Sequence, residues 1–317
     1  MIFIISDGID NSTNIVINWL KYYNIKYCVL NSKTKIKIKY ISLNEFVIEL
    51  NNIKIESNEI IGYWFRNEVS IISNNSEKLK IHDKNLVSYI KQHELAELDT
   101  MLSYIFYVIE SKKTIGCYYK RSINKLLALK EAKSIGIDIP EFLIASDSEN
   151  IISHFGNSIP LLTKTIGGAF NFNNEDIKLK SYSEIFDPYS LISSEFSPSL
   201  IQKYIEKNYE IRTFFFKGSF HSMAIFSQKN EHTIVDMKKS IPIRNRSVPY
   251  KLPKLIEEKL LEFMKKLDLD TASIDIIKGK DGKFYFLEVN QFGIFSNVSN
   301  LCNYYLEKKI TDYLITD

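Results

Sequence analysis

Apolar positions along this chain alternate between short strand-like runs and longer stretches with helical spacing. Met1-Ile2-Phe3-Ile4-Ile5 runs straight into Ser6-Asp7-Gly8 and predicts a first strand with its turn. Ile15 to Tyr23 places Val16, Trp19 and Leu20 at helical spacing, and strands are predicted at 26–30 and 60–65. Lys33 to Lys39 reads as a solvated strand edge or loop. A helix over 84–110 carries Leu86, Ile90, Leu95, Leu98, Leu102, Phe106 and Ile109 as its expected core face.

Beyond residue 112 the pattern changes. Ser122 is the expected N-cap of a helix running to Ile135, with Gly136 as its terminator. Strands are predicted at 159–165, 199–205, 210–217 and 219–227, the last two joined at Lys217-Gly218. The polar stretch 172–197 predicts a flexible connection. Leu252 to Leu267 is an expected helix starting at Pro253, with Leu255, Ile256, Leu260, Met264 and Leu267 inward. A closing helix is expected over 299–314.

Between those last two helices lies a predicted hairpin, Ser273 to Ile277 and Phe284 to Asn290, around Asp281-Gly282. A two-residue turn would pair Lys280 with Lys283 and set Asp275 opposite Glu288, with Asn290 on the same face. A four-residue loop would make the two acids diagonal neighbours. Facing carboxylates in an apolar ladder repel, and a hard cation relieves that repulsion. An all-oxygen Asp, Glu and Asn set suits magnesium bound together with phosphate. The competing reading is a half-exposed hairpin with solvated acids.

Bulk properties narrow the classes. With 317 residues the chain can bury a substantial core and divide into two or three domains. The 41 basic and 38 acidic residues leave +3, so no global pull toward nucleic acid or membrane is expected. Three scattered cysteines without metal spacing fit a reducing compartment, and the start lacks a basic leader, so a soluble cytoplasmic protein is the expectation. Five scattered histidines form no triad or metal spacing.

Several residues carry candidate chemistry. Lys125 falls in a helix's first turn, opposing its dipole, and would otherwise be a solvated lysine. Lys164 sits in the apolar strand Pro160 to Thr165, where a lysine needs an anion, and Gly167-Gly168-Ala169 follows, allowing close backbone approach to phosphate. Gln202-Lys203-Tyr204-Ile205 is a hinge whose backbone can read an adenine edge, and Glu210 can accept from ribose hydroxyls. Arg212 shares a strand face with Phe214 and Phe216, either snorkelling or facing a phosphate.

Taken in order, these pieces resemble the ATP-grasp superfamily over roughly residues 115–317. The resemblance implies an α/β (α+β) ATP-grasp fold with an N-terminal α/β domain over 1–112 and an ATP-grasp domain over 113–317. The latter would divide into a central subdomain, 113–205, and a C-terminal subdomain, 206–317, with nucleotide between their sheets. It also implies that Lys125 and Lys164 hold phosphates, that Lys203 and Ile205 contact adenine through backbone, and that Glu210 binds ribose. Asp275, Glu288 and Asn290 would ligate magnesium, and Arg212 would steady the transferred phosphate.

Tyr63-Trp64-Phe65-Arg66, Val248-Pro249-Tyr250-Lys251-Leu252-Pro253 and Phe286 to Gly293 are similar to the graspetide maturases, including microviridin ring-forming ligases and grasp-with-spasm maturases. Asn67 follows Arg66 where that family often has a second arginine. This likeness implies an enzyme that uses ATP and Mg2+ to join Asp or Glu carboxylates of a precursor peptide to Ser/Thr hydroxyls or Lys amines. Arg66, Arg244 and Arg246 would be substrate contacts, and a homodimer would be unsurprising. A ligase adding amino acids to a protein or peptide, and a nucleotide-regulated peptide binder without turnover, are the rival readings.

Overall fold

A computed structural model describes residues 1–7, 11–67, 83–118, 123–156, 160–167, 171–173, 177–180, 183–190, 195–227 and 245–316. Two compact units emerge: 1–122 with 294–299 and 304–317, and 123–293 with 300–303.

In the first unit, β1 (Ile2–Ile5), α1 (Asn11–Tyr22) and β2 (Tyr27–Leu30) precede an antiparallel sheet of β3 (Ile36–Ile41), β4 (Phe46–Leu50) and β5 (Ile53–Glu56). Then come β6 (Gly62–Phe65), α2 (Lys84–Ile109) and β7 (Lys113–Ile115). Strands β2-β1-β6-β7 form a parallel sheet. All four residues of β1 are buried, as expected for a parallel strand covered on both faces.

The expected core face of α2 holds only for its last turns. Its buried residues are Leu102, Ile105, Phe106 and Ile109, whereas Leu86 is 48 % exposed. Lys91, Glu94 and Glu97 interrupt the apolar spacing in the first half, so burying that stretch would desolvate charge.

The second unit begins with α3 (Lys125–Ser134), β8 (Phe142–Asp147), α4 (Ser148–Phe155) and β9 (Leu161–Lys164). Short strands β10 (Asn171–Asn173), β11 (Lys178–Lys180) and β12 (Glu184–Phe186) follow, then β13 (Glu195–Lys203). The stretch expected to be a flexible connection therefore contributes strands, one of which, β12, pairs with β9. The first sheet runs β12-β9-β13-β8 and packs Ala145, Leu161 and Ile201 on Ile151 and Phe155 of α4.

A second antiparallel sheet, ordered β16-β15-β14-β17-β18, is built from β14 (Lys207–Phe216), β15 (Ser219–Phe226), β16 (Arg246–Tyr250), β17 (Thr271–Gly279) and β18 (Phe284–Asn290). One face, with Ile211, Phe215, Ala272, Ile274, Ile276, Phe286 and Val289, packs on α3 and on α5 (Lys254–Lys266). Leu255, expected inward, is 62 % exposed; Leu260, Phe263 and Met264 supply the buried face of α5.

The expected closing helix is two helices, α6 (Ser296–Cys302) and α7 (Leu306–Ile315), interrupted where Asn303 and Tyr305 take positive φ of 55° and 53°. Among the described residues no helix is long and apolar enough to cross a membrane.

Helix caps explain two starts. The expected cap Ser122 lies outside the described residues; Asn124 caps α3, its side chain accepting from the amides of Leu126 and Leu127. Gly136 ends that helix with φ +79°. Asp147 caps α4 by accepting from the Asn150 amide, and this bond holds its carboxyl below the usual range. A carboxyl depressed on folding stabilises above its unfolded value and loses that contribution as pH falls. Asp147→Ala is therefore expected to lower the melting temperature at pH 7 by more than at pH 3, measured by circular dichroism. Equal losses at both values would contradict the cap.

Candidate active site

The hairpin places its acids as expected, by a different route. Gly279 and Lys283 close a three-residue loop: Gly279 N donates to Lys283 O at 3.0 Å, and Gly282 N donates to Gly279 O at 3.1 Å. Gly282 sits at φ +86°, where glycine is favoured. That loop alone would misplace the acids by one residue. The pairs Lys278–Phe284, Ile277–Tyr285 and Ile276–Phe286 give way to Asp275–Glu288, Ile274–Val289 and Ser273–Asn290, so Leu287 is an extra residue. This bulge restores the face-to-face acids and lets Phe286 and Val289, an odd spacing apart, both enter the core.

The opposite face of the second sheet carries the candidate chemistry. Arg212 pairs with Asp275 in register, donating from Nε to Oδ1 at 2.8 Å and from Nη2 to Oδ2 at 2.7 Å. Both side chains are less than a fifth exposed, and the Asp275 charge holds the guanidinium firmly protonated. Glu288 completes the row across three strands. Lys125 Nζ, from the first turn of α3, lies 3.6 Å from Glu288 Oε2 and donates to Thr165 O at 3.4 Å. Asn290 Nδ2 donates to Glu288 Oε1 at 3.1 Å, leaving its carbonyl oxygen.

Arg212 and Lys125 thus neutralise a carboxylate pair whose donors are all oxygen. Among the described residues no cluster of three or more His, Cys, Asp or Glu could hold a metal alone. Two carboxylates and an amide oxygen fit magnesium that arrives with phosphate oxygens to complete its shell.

Lys164 ends β9 opposite Leu200, and Gln202 lies opposite Leu162 on the same face of the first sheet. That face is turned away from the α4 core, and Gln202 is buried. Lys203 points to the other face. Its amide donates to Glu141 O at 2.9 Å, and the Tyr204 amide donates to Pro160 O at 2.9 Å. Among the described residues the Lys203 carbonyl and the Ile205 amide receive and make no hydrogen bond. Burial raises the Tyr204 hydroxyl above its ordinary range, with Glu206 adding to the effect. Glu210 lies on the face of Arg212, half-buried, and accepts from Ser227 Oγ at 3.1 Å and from Lys207.

The three arginines expected to contact substrate lie in different places. Arg66 follows β6 in the first unit, 5 % exposed, its guanidinium carbon 5.4 Å from the Phe295 ring centre. Arg244 lies outside the described residues. Arg246 pairs with Phe226, and its guanidinium lies 5.7 Å from that ring. Phe226 neighbours Tyr209, so Arg246 occupies the sheet face opposite Arg212. The even-odd parity of the strand thus separates Arg246 from the row of Arg212, Asp275 and Glu288. Sequence reasoning missed Lys207 and Ser227. A lysine three residues before Glu210 reads as opposite-facing in a regular strand, so spacing carried no signal for it.

Comparison with known proteins adds the fold. No protein-family model and no curated protein matches the chain. Solved structures do match. A RiPP-associated ATP-grasp ligase of Chryseobacterium gregarium, in complex with ADP and a leader and core peptide, superposes with TM-score 0.84 at 23 % identity, covering 99 % of this chain and 96 % of that one. The macrocyclase MdnC of Microcystis aeruginosa, bound with precursor peptide MdnA, gives TM-score 0.78 at 21 % identity over 100 % and 99 %. The ATP-grasp ligase PsnB, complexed with a phosphomimetic variant of its minimal precursor, Mg and ADP, gives 0.73 at 14 % over 99 % and 97 %. The chain has the fold of these ATP-grasp ligases, as its ordered motifs implied.

Proposed function

We propose that this protein is an ATP-dependent peptide maturase that joins Asp or Glu side chains of a ribosomally made precursor to Ser or Thr hydroxyls, or Lys amines, within the same peptide. The observation that carries the proposal is the row Arg212, Asp275 and Glu288 across three strands, with Lys125 and Asn290 on Glu288. A full oxygen donor set beside preorganised cations suits phosphoryl transfer, and a binder without turnover has no use for it. The similarity to ligases solved with precursor peptides supports the peptide as substrate.

In this reading a substrate carboxylate oxygen attacks the γ-phosphorus of ATP, and ADP leaves. A hydroxyl or amine of the peptide then attacks the acyl carbon, losing its proton as phosphate departs. The product is a side-chain ester or amide ring, and the peptide is lighter by one water per ring. Magnesium held by Asp275, Glu288 and Asn290 would supply charge neutralisation at the phosphates. Lys125 and Lys164 bind phosphate oxygens, and Lys125 exchanges its Glu288 contact for them. Arg212, held in plane by Asp275, presents positive charge where the acyl phosphate forms. The open Lys203 carbonyl and Ile205 amide supply one acceptor and one donor, the pair an adenine edge requires.

The test is to incubate the protein with ATP, magnesium and a candidate precursor rich in Thr, Ser or Lys and Asp or Glu, then weigh the peptide. Loss of one water mass per ring, with one ADP formed per ring, is the expected result. A gain of amino-acid mass would replace this reading with an amino-acid-adding ligase. An unchanged peptide with bound nucleotide would replace it with a binding protein.

A further inference from the structure

Lys207 is 4 % exposed, and a lysine so enclosed needs an anion. Its Nζ donates to Glu210 Oε1. Residues three apart in a regular strand point to opposite faces, so the contact calls for a break in β14. The pairing supplies one. Lys207 pairs with Gly279 and Tyr209 with Lys278, leaving Asn208 as the extra residue. Asn208 Nδ2 donates to Gly279 O at 3.3 Å and ties the bulge to β17. Lys207 is thereby turned onto the face that carries Glu210 and Arg212.

Ser227, just past β15 and fully buried, donates through Oγ to the same Glu210 oxygen at 3.1 Å. Among the described residues Glu210 Oε2 accepts no hydrogen bond. An ionised carboxylate can accept on both oxygens. Two donors converging on Oε1 set the plane of the group and leave Oε2 as the oxygen it presents. A carboxylate without them would be free to rotate.

We infer that Lys207 and Ser227 are positioning residues, which aim Glu210 Oε2 at a ribose hydroxyl of the nucleotide and so make this site select ribonucleotides. The inference rests on the proposed role of Glu210 in holding ATP. A site built to accept from a hydroxyl loses affinity for the analogue that lacks it, because its acceptor is left unsatisfied. Lys207 touches no part of the nucleotide in this arrangement. Its effect is transmitted through the carboxylate.

The experiment measures binding of magnesium complexes of ATP, 2′-deoxyATP and 3′-deoxyATP to the full-length protein by calorimetry. Native protein is expected to prefer ATP over at least one deoxy form by about tenfold or more. Lys207→Met and Ser227→Ala should shrink that preference, the first to near unity and the second partway, while both retain the native circular dichroism spectrum. Should Lys207→Met fail to fold, Ser227→Ala alone decides. Preference unchanged in the folded variants overturns the positioning role. Glu210→Gln separates the two levels: if it leaves the preference intact, the ribose contact itself is wrong, whereas loss in Glu210→Gln with none in the other variants defeats only the positioning inference.

Discussion

Glu288→Gln is expected to lower ring formation by about a thousandfold while leaving the fold in place. The side chain is a fifth exposed, its bond from Asn290 can be kept by the amide, and the Lys125 contact at 3.6 Å is long, so little stability is at stake. What disappears is one of two carboxylates that can hold a divalent ion against phosphate, a contribution of several kcal/mol in the transition state. Asp275→Asn should be as inactive and also less stable. It leaves Arg212 enclosed without its bidentate partner, and breaking such a pair costs about 3 kcal/mol or more. Turnover by peptide mass and thermal melting together distinguish the two. Native-like turnover in either variant would remove the assignment of these acids to the phosphate-bound ion.

Gly293→Ala is expected to be the most damaging single methyl in the second unit. A Cβ at Gly293 would lie 2.0 Å from Ser273 Cβ and 2.1 Å from its Oγ, with the Ser273 amide at 2.9 Å. Ser273 sits on β17 opposite Asn290 and two residues from Asp275, so relief requires moving the strand that carries the acids. Overpacking of this kind costs about 3 kcal/mol or more. Activity should fall with stability, because Asn290 is tied to the same turn through Gly293 N, which donates to Asn290 O at 3.0 Å. Ser273→Gly removes two of the three contacts, and in combination it should restore at least half of the lost stability in denaturant unfolding. A melting temperature within a degree of the native value for Gly293→Ala would refute the clash.

Much of this was legible along the chain. Apolar periodicity gave β9, β13, β14, β15 and the helices α3 and α5 of the second half, but not β8, α4, the short strands between β9 and β13, or β16. The row of candidate ligands followed from residue type and order. The hairpin is the instructive case. A two-residue turn at Asp281-Gly282 predicts the observed facing of Asp275 and Glu288, yet the loop has three residues and Leu287 bulges to compensate. The apolar pattern held a trace of this, because Phe286 and Val289 can share a core only across a break in alternation. The interrupted apolar stripe of α2 and the outward Leu255 show the reverse error, where helical spacing was taken as burial although burial depends on what lies opposite.

The sequence by itself determined where α1, α2, α3 and α5 lie, that a hairpin carries the two acids, and which side chains are available to hold phosphate, metal and adenine. These are local properties, set by side-chain period, capping chemistry and charge. The tertiary structure decided which faces those side chains share. Bulges at Asn208 and Leu287 shift strand parity, and a shift of one residue moves every later side chain to the other face. Such shifts arise only when strands pair, because they answer to a core and to ion pairs such as Lys207 with Glu210 and Arg212 with Asp275, and those involve residues that meet only in the folded sheet.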